Sequence, residues 1–233
     1  MSEEINKNNN ECEQEAQDNI SVEEDKGSFS LKKEVFEWIY TIALALLIAF
    51  FIKGFIFDVV RVDGPSMEST LLDNDKLIIT KLGYEPELQD IVILDSTYKK
   101  RDEYYDKLAG DGEEYNKFER ILNYYKLPTN LKPRYYVKRV IGLPGQTVDI
   151  VDGKVLVDDK VLDENYVEDE TTIIDYSVEY PVTVQEGHVF VMGDNRPHSK
   201  DSRSSELGQV PIYAILGKAQ IRIWPFKTFG FVD

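Results

Sequence analysis

A serine hydroxyl becomes a useful nucleophile only when a neighbouring group takes its proton, so the serines with a candidate partner come first. Ser66 lies in Gly64-Pro65-Ser66-Met67-Glu68-Ser69-Thr70, where glycine and proline set a turn. The chain has two histidines, His188 and His198. His188 opens an apolar run and reads as structural; His198 neighbours Ser199 in a turn-rich segment and stands as a second candidate base. Lysine can do the same work when neutral. With an unperturbed pKa of ~10.4, about one lysine in 2500 is deprotonated at pH 7, so the site must lower that value, as burial does. Lys138 is the best placed, with Tyr135, Tyr136 and Val137 before it and Val140 and Ile141 after it. Period-two alternation sends Arg139 to the other side of the strand, where it stays charged. Taken alone, such a Lys-Arg pair reads as a solvated strand edge.

A third segment, Gly193-Asp194-Asn195-Arg196-Pro197-His198-Ser199-Lys200-Asp201-Ser202-Arg203, adds polar groups in a defined order. Gly193-Asp194-Asn195 is a tight-turn signal, and Ser199, Asp201 and Arg203 alternate, so an extended chain would put them on one side. Asp201 and Arg203 can pair, and Ser199 can donate a hydrogen bond that orients the Lys138 amine. A turn carrying a surface ion pair is the plainer reading of this segment by itself.

These residues need elements to hold them. Residues 1 to about 30 carry nine carboxylates, Glu3, Glu4, Glu11, Glu13, Glu15, Asp18, Glu23, Glu24 and Asp25, against Lys7 and Lys26, and read as a disordered acidic tail. Residues 35–57 are apolar over a length that spans roughly 34 Å as a helix, enough for a hydrocarbon core of about 30 Å. Trp38, Tyr40 and Lys53 suit the interfaces of a transmembrane helix, and Lys32 and Lys33 favour a cytoplasmic N-terminus. A buried core helix is the alternative; a cleaved leader fits less well, because no Ala-x-Ala-like site follows. From 58 to 233 short β-rich runs dominate: 59–62, 76–80, 90–94, 135–141, 188–192 and 214–224. Asp152-Gly153 between 148–151 and 154–157 marks a hairpin. The pattern predicts a mainly β, antiparallel domain, interrupted by a helical insertion at about 97–132 with Tyr115, Phe118, Leu122 and Tyr125 on one face and a break near Gly110-Asp111-Gly112. The only cysteine, Cys12, excludes an intrachain disulfide, and a net charge of -16 argues against nucleic acid as a partner.

The blocks together closely resemble bacterial type I signal peptidase, the membrane-anchored Ser/Lys endopeptidase of protein secretion. They are Gly64-Pro65-Ser66-Met67 with Thr70-Leu71, Asp90-Ile91-Val92, Lys138 to Gly145, Gly193 to Arg203, Leu216-Gly217-Lys218-Ala219 and Trp224-Pro225, behind one span. The resemblance implies Ser66 as nucleophile, Lys138 as general base and Ser199 as the group orienting the lysine. Arg139, Asp201 and Arg203 follow as a supporting charge network, joined by Gly64, Gly193 and Asp194. It implies a β-rich catalytic domain outside the cytoplasm, signal peptides of secreted preproteins as substrates, the lipid bilayer as a partner, and no metal or organic cofactor. The substrate would add as a strand beside 59–63 and 135–137, touching Val60, Val62, Asp63, Met67, Tyr136, Val137 and Ile141, with shallow pockets for alanine-like side chains.

Three positions depart from the family pattern. Ser69 stands where proline is usual, Gln89 where glycine is usual, and Gly64 lacks the hydroxyl that some members add to the oxyanion hole, as in the Gram-positive branch. Two other readings share parts of this pattern. A self-cleaving Ser/Lys protease is disfavoured by the span, and an inactive binding module of the same fold is disfavoured by the intact Ser66 and Lys138.

Overall fold

The computed structural model describes residues 31–109, 126–168, 172 and 177–232. The acidic tail, the break at 110–112 and the aromatic stripe at 115–125 lie outside the described residues. The chain falls into two compact units that divide between Phe50 and Phe51.

The first unit holds all but the last residue of helix α1, Leu31–Phe51. Its apolar side chains are exposed all round, with Phe36, Trp38 and Phe50 at 69%, 70% and 76%. A core helix would hide one face, so this pattern favours a span over a core helix. By length and composition, Lys33–Gly54 can cross a membrane. The apolar run does not stay helical to 57, as expected from hydrophobicity. A π-helical turn, Ile52–Ile56, ends it, and Phe57 opens strand β1, Phe57–Arg61, opposite Thr80. Hydrophobicity continues through this junction, which is why it hides the change from helical to strand pairing.

The second unit is two antiparallel sheets. The larger contains β1, β2 (Lys76–Thr80), β3 (Ile91–Asp95), β4 (Tyr135–Gly142), β9 (His188–Met192), β10 (Val210–Pro211), β11 (Ile215–Trp224) and β12 (Gly230–Phe231). Its order is β1-β2-β11-β3-β4-β9-β10, with β12 added to β11. The smaller has the order β7-β6-β5-β8, built from β5 (Thr147–Val151), β6 (Lys154–Val157), β7 (Lys160–Val161) and β8 (Val182–Thr183). Asp152 and Gly153 join β5 to β6 with φ of 49° and 77°, the left-handed pair that a two-residue hairpin turn requires. Inside the insertion, α2, Tyr98–Ala109, packs through Tyr98, whose hydroxyl donates to the Leu207 and Gln209 carbonyls.

Two features position the site. β3 is buried along its whole length between β11 and β4, which gives β4 a rigid neighbour. The register leaves part of β4 open: β3 pairs with residues 135–139, whereas β9 pairs only with Arg139, Val140 and Gly142. Among the described residues, β9 pairing therefore stops short of Tyr136, Val137 and Lys138. Among the described residues β1 is likewise paired on one side alone, to β2.

Candidate active site

The turn after β1 brings Ser66 to β4. Lys138 Nζ lies 2.7 Å from Ser66 Oγ and 2.8 Å from the Val137 carbonyl oxygen, to which it donates. Lys138 is 2% exposed, and its amine sits 5.2 Å from the Tyr136 ring centre. Burial pulls the lysine down to about 8; the Asp201 and Asp194 carboxylates oppose this, and Arg203 adds to it. A site holding such an amine against a hydroxyl can move a proton off that hydroxyl near neutral pH. His198 is exposed and faces Asn195 Oδ1 at 3.0 Å rather than Ser66.

Two buried ion pairs brace this contact. Arg139 reaches the opposite side of β4, as alternation demands, and donates to both Asp194 oxygens at 2.9 and 2.8 Å and to the Gln89 carbonyl at 2.9 Å. Thr70, four residues after Ser66, donates to the same Asp194 carboxylate at 2.6 Å. Arg203 donates from Nε and a terminal nitrogen to the two Asp201 oxygens, each at 2.9 Å, and Asp201 in turn accepts the Gly193 N–H at 3.0 Å. Asn195 completes the link, its N–H donating to the Ser66 carbonyl and its side chain to that of Pro65. The serine turn is thus tied to the 193–203 segment on both sides.

Gly193 permits this closeness. A Cβ there would fall 2.2 Å from Ser199 Oγ and 2.4 Å from the Ser66 carbonyl oxygen. Gly64 has φ of +93° and donates its N–H to Asp73, which bends the chain into the serine turn. The Ser66 N–H meets no acceptor among the described residues.

Some sequence expectations need correction. Ser199 does not donate to Lys138: its Oγ is buried without a hydrogen-bond partner among the described residues, close against Gly193, and the Val137 carbonyl takes the second contact of the amine. Met67 and Val137 do meet, in one apolar cluster with Val62, against which Val60 packs. Ile141 is fully buried in a different cluster with Val148 and Phe190, where β4 packs against β5 of the smaller sheet, apart from the cluster that holds Met67. Asp63 is exposed and Tyr136 half-buried.

Comparison with known proteins follows from this arrangement. The family model described as signal peptidase, peptidase S26, matches residues 35–224. The chain belongs to that family. Signal peptidase I from Bacillus licheniformis is 33% identical over 215 residues, covering 88% of this chain and 97% of the relative. Signal peptidase I from Leptolyngbya laminosa is 32% identical, covering 83% and 82%. Signal peptidase IB from a Staphylococcus aureus strain is 28% identical, covering 86% and 95%. This signal peptidase is therefore a serine hydrolase of the type I class.

Within the family pattern, the two departures in turn chemistry meet on one loop. Ser69 has φ of +86°, which proline cannot adopt, and its hydroxyl donates to the Tyr166 carbonyl. Gln89 has φ of +68°, a region that glycine enters most easily, and its amide donates to the Asp163 carbonyl at 2.7 Å. The loop they hold lays the Tyr166 ring 3.8 Å from the Arg139 guanidinium. It also brings Glu164 to Arg196, a buried arginine that donates to the Gly193 carbonyl at 3.1 Å and to Thr172 at 2.7 Å. Tyr166 carries no periodic or motif signal, and Arg196, although inside the Gly193–Arg203 block, gains no role from its pattern. Asp90 and Lys218, from two of the short blocks, pair at 2.5 Å, and Gly217 beside them brings β11 within reach of the Thr80 carbonyl, where a Cβ would stand 2.1 Å away.

Proposed function

We propose that this signal peptidase is a membrane-anchored endopeptidase that removes N-terminal signal peptides from exported preproteins, with Ser66 as nucleophile and Lys138 as general base. The observation that carries the reading is the 2.7 Å approach of Ser66 Oγ to an amine that burial holds at about 8. Ser66 Oγ attacks the carbonyl carbon after a small residue, and its proton passes to Lys138 Nζ. The negative oxygen of the tetrahedral intermediate accepts the Ser66 N–H. Collapse breaks the C–N bond, and the departing amine takes the proton back from Lys138. Water then attacks the acyl-serine ester, again through Lys138, and Ser66 is restored.

The open edges of β1 and of Tyr136 to Lys138 support binding of the substrate as an added strand, through main-chain pairing. The apolar cluster that Met67 shares with Val62 and Val137 supports a preference for small side chains beside it. Lys33–Gly54 is the proposed anchor, and Lys32 and Lys33 before it support a cytoplasmic N-terminal side, with the β unit outside. The test is cleavage of a preprotein with an Ala-x-Ala site by the full-length chain in detergent. Ser66→Ala and Lys138→Ala are expected to abolish processing, and near-normal cleavage by both would overturn the assignment.

A further inference from the structure

Beside Tyr136 lies a cleft of about 520 Å3, walled by the first turn of α2, the start of β4 and the loop at 200–207. Lys99, Lys100, Arg134 and Lys200 line it, against Glu103 and Glu206. Such an excess of cations stands out in a chain with 43 carboxylates and 27 basic residues. Lys200 is neutralised locally, by an ion pair with Glu206. Lys99, Lys100 and Arg134 form no ion pair among the described residues. Among the described residues the half-buried Lys99 ammonium donates only to the Ser205 carbonyl, at 3.4 Å, and burial lowers its pKa. Removing a cation from water without a counter-charge is unfavourable, so the cleft favours an incoming anion.

Its position identifies the anion's source. Tyr136 forms one wall of the cleft while its ring lies 5.2 Å from Lys138 Nζ, and Tyr136 belongs to the open edge of β4. A peptide strand laid along that edge passes the mouth of the cleft. We propose that the cleft is a subsite for an acidic side chain of the preprotein, read by Lys99, Lys100 and Arg134. This rests on the assignment of the chain as a preprotein-cleaving Ser66/Lys138 enzyme. It gives the α2 insertion a role in substrate choice: α2 supplies Lys99 and Lys100, and the catalytic strand supplies Tyr136.

The test uses the full-length chain in neutral detergent and a preprotein series carrying Asp or Asn at each position near the cut bond. At one position Asp is expected to exceed Asn in kcat/KM by about fivefold, the worth of a partly exposed charge pair. Lys99→Glu/Lys100→Glu is expected to invert that ratio, a readout that cancels any general loss of activity. An Asp/Asn ratio near one at every position, or the same ratio in wild type and variant, overturns the subsite while leaving the peptidase assignment intact. No cleavage of any member by the wild-type chain overturns the peptidase assignment, and the subsite with it. A variant that keeps the Asp preference but loses sedimentation with phosphatidylglycerol vesicles, relative to phosphatidylcholine vesicles, assigns the cleft to lipid headgroups and also overturns the proposal.

Discussion

The Tyr166 ring lies 3.8 Å from the Arg139 guanidinium, covering a cation that already donates to Asp194 and the Gln89 carbonyl. Arg139 is 2% exposed, so the ring helps keep water from a buried ion pair one residue from Lys138. Tyr166→Ala is expected to destabilise the β unit by about 2 kcal/mol, from lost ring contact and cation–π attraction. Tyr166→Phe keeps the ring and should stay close to wild type. Denaturant midpoints for the two variants check this; equal losses would move the effect to the Tyr166 hydroxyl, which donates to Glu164.

How far the sequence foretold this site depends on distance along the chain. β2, the Asp152-Gly153 hairpin and β9 follow from β-branched runs and turn residues that act locally. The Ser66–Lys138 contact joins residues 72 apart and was legible because the two chemistries imply each other. Tyr166 was not, because its place depends on hydrogen bonds from Ser69 and Gln89, 97 and 74 positions from their acceptors. Alternation along the chain suggests Ser199 as a partner of the amine, but its Oγ is buried close against Gly193, which no local pattern foretells.

Lys138 titrates at about 8 in the folded chain against 10.5 ordinarily. The rate of cleavage should therefore fall on the acid side with a midpoint near that value, as the amine takes up its proton. His198→Ala should leave the midpoint in place, since His198 faces Asn195; a midpoint that moved with this variant would assign the limb to the histidine.

The same titration has a stability consequence. Between about 8 and 10.5 the unfolded chain binds the lysine proton and the folded chain does not, so stability rises with pH across that window. Above it neither state is protonated and below it both are, so the dependence flattens at each end. The total span is about 3 kcal/mol. Lys138→Met removes the proton-binding group and should abolish this rise in denaturation curves taken through the window.

Gly193→Ala tests the closeness of the two segments. Its Cβ would meet the Ser66 carbonyl oxygen, a backbone atom, and Ser199 Oγ at distances no real contact allows. The serine turn must then retreat from Lys138, and a displacement of about 1 Å can cost roughly a hundredfold in rate. A fall in kcat of that size, with the fold retained by circular dichroism, is expected; an unchanged kcat would mean that the turn has slack the contacts do not suggest.

The Arg139–Asp194 pair gives the sharpest separation of charge from shape. Arg139→Met leaves Asp194, whose side chain is fully buried, as an uncompensated carboxylate, a loss of about 3–5 kcal/mol. Arg139→Met/Asp194→Asn removes the stranded charge, and Thr70 can still donate to the Asn oxygen. The double variant should therefore recover at least half of the stability lost by the single one, read from urea midpoints. Its catalytic rate is the informative part. If the pair serves only to hold the Thr70 and Gly193 ends of the site together, rate should return with stability. If the field of Asp194 on Lys138 matters as well, the acid limb should move lower, because Asp194 raises the lysine's pKa and its charge is now gone.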